Sequence, residues 1–328
     1  MLCHIVIDWD NLQFEVFRTA PFLLSASDKI VQAEDLDVQL RALSREPPTT
    51  LRNGEPSFSY ALGSWCYHQK LCQLRQIIQL GFELSIYSPE ELPGMYWYLN
   101  HICAAHIGHL DRIRTFIVAA NKSNQPLSGK KSHAAEGQAA VQRTLRLLER
   151  MTIHLVAMDA FAIALHVLYV VLARHNLLPS ASSPSAYSND RLRYELRMKP
   201  FIPISLPEVV PFEEFHRETT LDGESDGAIL ERASTAISEA RKSWETTLAN
   251  GAFIPPLQGA AKKAPAIERD WTRDIKDTMR ACISTSIAIE TLKKTLGYGP
   301  ARPSSAAGSA GAVGLRVELP EQGSKARW

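Results

Sequence analysis

The residues best equipped for chemistry are His101, Cys103, His106 and His109, whose imidazoles and thiol are the groups that bind zinc. Steps of three residues along a helix drift by about sixty degrees, so these side chains fan over an arc instead of meeting at one ion. His106 also falls on an apolar stripe, a common setting for a hydrogen-bonded core histidine. Cys66 and Cys72, with His68 between them, lack the two-residue spacing of a zinc knuckle and read as free, partly buried thiols. No metal site is assigned.

Phosphate chemistry is no better supported. Leu127-Ser128-Gly129-Lys130-Lys131-Ser132 imitates the end of a phosphate-binding loop, but Asn124 stands where the first glycine belongs and Lys131 where Ser or Thr must follow the lysine. Gly308, Gly311 and Gly314 lack a flanking strand and helix to aim their amides at a phosphate. Glu90 with Glu91, and Glu213 with Glu214, are neighbours whose side chains point apart, which suits helix N-terminal charge rather than paired acid and base. Lys122, Lys130 and Lys131, beside His133, offer phosphate-neutralising contacts to ribosomal RNA or simply solubility. No catalytic and no cofactor-binding residue is assigned.

The elements that would position any such group are helical. Apolar residues recur at steps of three and four in Tyr67, Leu71, Leu74 and Ile78, then in Tyr96, Leu99, Cys103, His106, Leu110, Ile113 and Ile117. Between them Gly81 ends the first helix and Pro89, Pro93 and Gly94 break the chain. Phe82, Tyr87, Trp97 and Tyr98 should anchor the junction. A polar loop is expected over residues 121–136, followed by a helix or helix pair starting near Ala139. Its later half, Ile153 to Ala173, is apolar all round. It is long enough to span a bilayer, but His154, Asp159 and His166 interrupt it, so a buried core helix is expected.

Further on, Pro200, Pro203, Pro207 and Pro211 space an apolar, extended strip. Leu230, Ala233, Ile237, Ala240, Trp244 and Leu248 form another stripe, closed by Gly251. Ile267, Trp271, Ile275, Met279, Ile283 and Ile287 mark a last helix ending near Leu296 and Gly297, before a tail expected to be disordered. The fold class is therefore all-α. It is an irregular multi-helix scaffold without one fixed repeat period, with an extended Pro-spaced segment and a disordered C-terminal tail. It divides into an N-terminal helical segment and loop (1–56), a central helical core (57–178), the Pro-spaced segment with the C-terminal helices (179–296), and the tail (297–328).

With 328 residues, 45% hydrophobic and 22% charged, the chain has the composition of a soluble globular protein. Its net charge of +1 leaves no global field for DNA or an anionic membrane. Five scattered cysteines, and an N-terminus with no basic run before its apolar residues, indicate a reducing interior, the cytoplasm being the simplest.

Gly81-Phe82-Glu83-Leu84, Tyr87-Ser88-Pro89 and Tyr96-Trp97-Tyr98-Leu99 together resemble a run carried by the large auxiliary, non-catalytic subunit of the N-terminal acetyltransferase C (NatC) complex, in its C-terminal part. The likeness continues weakly at Arg197-Met198-Lys199-Pro200-Phe201, and neither the first fifty or so residues nor the tail adds to it. It implies a scaffold that binds and orients a catalytic subunit of the GNAT fold, with a small Sm-like subunit and the ribosome as further partners. The implied reaction is co-translational acetylation of termini that begin with Met and a hydrophobic residue. Acetyl-CoA would belong to the catalytic partner, since the Arg/Gln-x-x-Gly-x-Gly/Ala turn that cradles it is not found in this chain. Phe82, Tyr87, Tyr96, Trp97 and Tyr98 are the candidate partner contacts, because half-buried aromatics often supply the strong points of an interface. A helical adaptor unrelated to acetylation, docking through the Pro-spaced strip, is the alternative.

Overall fold

Ser88-Pro89-Glu90-Glu91 shows how this sequence starts a helix. Pro89 presets the backbone, and the Glu91 carboxylate reaches back to accept the Ser88 N–H at 2.8 Å. The resulting 3-10 turn, Pro89–Glu91, runs directly into α1, Leu92–Ser123. Then come α2 (Lys131–Arg174), α3 (Phe212–Thr220), α4 (Asp226–Ala249) and α5 (Ala260–Thr295). The computed structural model describes residues 67–68, 71–72, 74–76, 78–79, 81–82, 87–123, 131–178, 191, 194–195, 210–251 and 260–298. The described part of 67–82 is helical, and no strand occurs among the described residues. The expected segment 1–56, most of the Pro-spaced strip and the tail beyond 298 lie outside them.

These residues belong to two compact units. One draws on Met1–Gln79, Ile102–Thr152 and Tyr187–Phe212, the other on Leu80–His101, Ile153–Ala186 and Glu213–Trp328. In the first, Leu71, Leu74 and Ile78 are buried, as are Ile102, Cys103, His106, His109 and Leu110 of α1. The Tyr67 ring meets His109 edge-on at 4.6 Å.

In the second unit the apolar half of α2 is buried on nearly every side, with Leu165, Val167, Leu168, Val171 and Leu172 almost fully enclosed. Two of the polar groups that interrupt it, Asp159 and His166, hydrogen-bond inside the protein, and His154 packs on a ring. His154 packs edge-on against Trp244, Asp159 accepts from Asn100 at 2.6 Å, and His166 Nδ1 lies 2.9 Å from the Pro93 carbonyl. At the end of α2, Arg174 donates to the Thr220, Leu221 and Glu224 carbonyls and to Asp226, satisfying acceptors left over where α3 stops. Burial alone would raise the Asp226 carboxyl, but its hydrogen bonds from Arg174 and His175 and their charge bring it below the usual carboxylate value.

Three expectations need correction, and one open alternative is decided. Pro93 and Gly94 do not break the chain but sit in the first turn of α1, where a missing N–H removes no helical bond. The loop expected over 121–136 is shorter, because α1 runs to Ser123 and α2 begins at Lys131. α2 is one helix of 44 residues, its alanine-rich start being helix-forming without any apolar period. In α5 the expected stripe walks off the core: Ile275 is buried, yet Ile283 is 45% and Ile287 63% exposed. Repeated steps of four rotate by about 40° each. The buried face instead follows Cys282, Thr285, Ala288, Ile289 and Leu292.

Both C-terminal helices end as glycine allows. Gly251 (φ 76°) and Gly297 (φ 81°) take the left-handed conformation just past α4 and α5, where a side chain would be strained. Lys293 ties the two helices together, its ammonium donating to Glu231 at 2.8 Å and Ser234 at 2.7 Å.

Candidate functional site: the aromatic junction

Gly81 explains the tightness of the junction. A Cβ there would lie 2.3 Å from the Tyr87 ring, so only glycine lets that ring pack on the helix end. Phe82 meets Tyr87 edge-on at 5.0 Å and stacks on Tyr96 at 4.3 Å, and Tyr96 stacks in turn on Tyr169 of α2 at 5.5 Å. Trp97, on the neighbouring face of α1, stacks on His101 and meets Phe215 of α3 edge-on, each at 5.3 Å. Its indole N–H donates to Glu218 at 2.9 Å. Gly94 completes the seat, since a Cβ there would come within 2.7 Å of Phe215.

The five aromatics singled out from sequence thus share one region, but they are turned inward. Tyr87, Tyr96, Trp97 and Tyr98 are buried and Phe82 is half-buried. Burial, with the neighbouring Tyr169 hydroxyl, raises the Tyr96 phenol well above its ordinary value, and burial pushes Tyr169 up to about 12. Both stay neutral across the physiological range. Burial lowers His101, although Glu218 and Glu214 pull against it. Neutral rings packed around one hydrogen-bonded indole fix geometry and hold no charge poised for proton transfer.

The histidine run divides among different partners. His101 stacks on Trp97, Cys103 is buried, His109 meets Tyr67, and His106 lies 2.7 Å from His68. Sequence reading missed Phe215 and Glu218, which belong to the short helix α3 beyond the Pro-spaced strip. Pro211 followed by acidic Glu213 and Glu214 was the available signal for a helix start. It also missed the convergence of His68, Cys72 and His106, although His68 and Cys72 are spaced one helical turn apart. The P-loop-like Gly129-Lys130 and the tail glycines lie outside the described residues, as do the side chains of Lys122, Lys130 and Lys131.

A family model described as NAA35-like, TPR repeats, matches residues 1–306. The chain belongs to this NAA35-like family. The match reaches back to residue 1, well beyond the motifs legible by eye. TPR repeats in the family description accord with the all-helical described residues, whose helices of 32, 44, 9, 24 and 36 residues explain why no single period stands out. Among curated proteins, this NAA35-like chain is 24% identical over 273 residues to the N-alpha-acetyltransferase 35, NatC auxiliary subunit, of Saccharomyces cerevisiae, covering 71% of this chain and 36% of that protein. Among solved structures it resembles a chain of the apo NatC complex (TM-score 0.63, 17% identity, 90% of this chain and 42% of that one). It also resembles a chain of the NatC complex bound to Gag peptide and CoA (TM-score 0.63, 16% identity, the same coverage). The chain thus spans well under half the length of these relatives, and the likeness to the solved structures establishes a shared fold.

Proposed function

We propose that this chain serves as an auxiliary, non-catalytic subunit of a NatC-type N-terminal acetyltransferase. Its helices would hold a GNAT-fold catalytic subunit in a fixed orientation, with a small Sm-like subunit completing the complex. The observation that carries this reading is the NAA35-like family match across residues 1–306. The buried aromatic junction supports it, because a subunit that orients an enzyme must hold its own helices in register. Acetyl-CoA then belongs to the catalytic partner, the substrates are nascent chains starting with Met and a hydrophobic residue, and the site of action is the cytoplasm, at or near the ribosome.

The test is affinity purification of the tagged chain from its own cells, followed by mass spectrometry. Recovery of a GNAT-type subunit in stoichiometric amount supports the proposal. Recovery of folded chain without that subunit, under conditions where the subunit is expressed, contradicts it and favours a helical adaptor.

A further inference from the structure

Away from the aromatic junction, the first unit brings three ligand-type side chains together. His68 and Cys72 stand one helical turn apart and His106 reaches them from α1, with one donor atom from each within 4.8 Å of the others. His106 Nε2 is 2.7 Å from His68 Nδ1, one ring nitrogen donating to the lone pair of the other, and Cys72 Sγ is 3.7 Å from His68 Nε2. Tetrahedral zinc, with bonds of about 2.0 Å to nitrogen and 2.3 Å to sulfur, separates its ligand atoms by roughly 3.3 to 3.5 Å. These two contacts use different nitrogens of His68, of which an ion takes only one, so the three donors, spread over up to 4.8 Å, must draw together by about an ångström to meet it.

We infer that His68, Cys72 and His106 form a binding site for one zinc-class divalent ion, with a fourth ligand supplied from solution. The donor set of two imidazoles and one thiolate suits such an ion, whereas oxygen-seeking magnesium or calcium would find no carboxylate in it.

The local electrostatics pull both ways: burial favours the neutral, ligating form of His68, whereas the raised Cys72 thiol and the Arg75 charge oppose binding of a cation. Burial, helped by the charge of Arg75, holds His68 down to about 4, so its imidazole is neutral and its lone pair available at physiological pH. Burial raises the Cys72 thiol while Arg75 opposes the rise. Binding must displace the thiol proton to solvent, so one proton leaves Cys72 for each ion bound while the ion sheds water. Arg75 is itself buried, and its Nε makes no hydrogen bond among the described residues. An anionic fourth ligand, hydroxide or chloride, would help balance the charge of the ion. The ion would clip the helix holding His68 and Cys72 to the middle of α1.

The test is titration of the metal-stripped full chain, without a histidine tag, with cobalt(II) alone. The expected result is one ion per chain, with the visible bands of tetrahedral cobalt, a thiolate-to-cobalt charge-transfer band, and displacement of both by zinc(II). Cys72→Ser should abolish the charge-transfer band and weaken binding at least tenfold. In weak buffer the wild-type chain should release at least one proton per ion. A wild-type chain showing no charge-transfer band overturns the assignment without recourse to any variant. So does a Cys72→Ser chain with the wild-type spectrum and affinity.

Discussion

The indole N–H of Trp97 donates to the carboxylate of Glu218 at 2.9 Å, joining the start of α1 to a helix 121 residues further along the chain. Trp97 is 8% exposed, so this charge-assisted bond is largely shielded from water. Trp97→Phe should keep most of the packing and lose the bond, costing about 1 to 3 kcal/mol. Trp97→Ala should cost about 3 to 5 kcal/mol. Urea denaturation measures both. A cost under about 0.5 kcal/mol for the alanine variant, with partner binding lost, would instead mark Trp97 as an interface residue.

Gly81 and Tyr87 define the tightest approach in the junction. Gly81→Ala should destabilise the chain by roughly 1 to 3 kcal/mol, because the buried Tyr87 ring has to move. Combined with Tyr87→Leu, the same substitution should cost less than the sum of the two single changes. Strict additivity in chemical denaturation would mean that the ring is not what the new methyl meets.

Asp159 makes stability depend on pH. Burial pushes its carboxyl up to about 6 from an ordinary 3.8, and the Asn100 hydrogen bond offsets this only in part. The folded chain therefore holds a proton that the unfolded chain has released. The stabilising contribution is complete below about pH 3.8 and is lost as pH rises through about 6. Asp159→Asn keeps an oxygen for Asn100 and does not ionise, so its stability relative to wild type should climb between those values and then level off. A difference that does not change with pH would show that Asp159 titrates normally.

The register of α5 separates neighbours cleanly. Ile289 is fully buried, whereas Ile287 is 63% exposed. Ile289→Ala should cost about 2 to 5 kcal/mol and Ile287→Ala less than about 0.5 kcal/mol by thermal or urea unfolding. The reverse order would restore the stripe through Ile283 and Ile287.

These contrasts show where sequence sufficed. The helix through Ile153 to Ala173 was legible because it is apolar all round and polar residues within it call for internal partners, which Asn100 and the Pro93 carbonyl supply to Asp159 and His166. Gly251 was legible as a stop because few other residues accept its backbone angle. The face of α5 was not, since isoleucines at repeated steps of four and a core line through Cys282, Thr285 and Ile289 fit the same stretch equally well. The aromatic cluster was visible as composition, but the burial of Trp97 involves Phe215 and Glu218 of α3, which follows the Pro-spaced strip in sequence and offers little apolar periodicity of its own. The meeting of His68, Cys72 and His106 was hidden for a related reason: two of them belong to one helix and the third to the next, and spacing along the chain carries no record of how helices pair.

Acetyl transfer to a Met-Leu peptide by the purified GNAT-type subunit, with and without equimolar full chain, tests the scaffold role most directly. A stable complex that acetylates the peptide at least tenfold faster than the catalytic subunit alone is the expected result. An unchanged rate together with no detectable binding at micromolar concentrations would contradict the assignment of this chain as an auxiliary subunit.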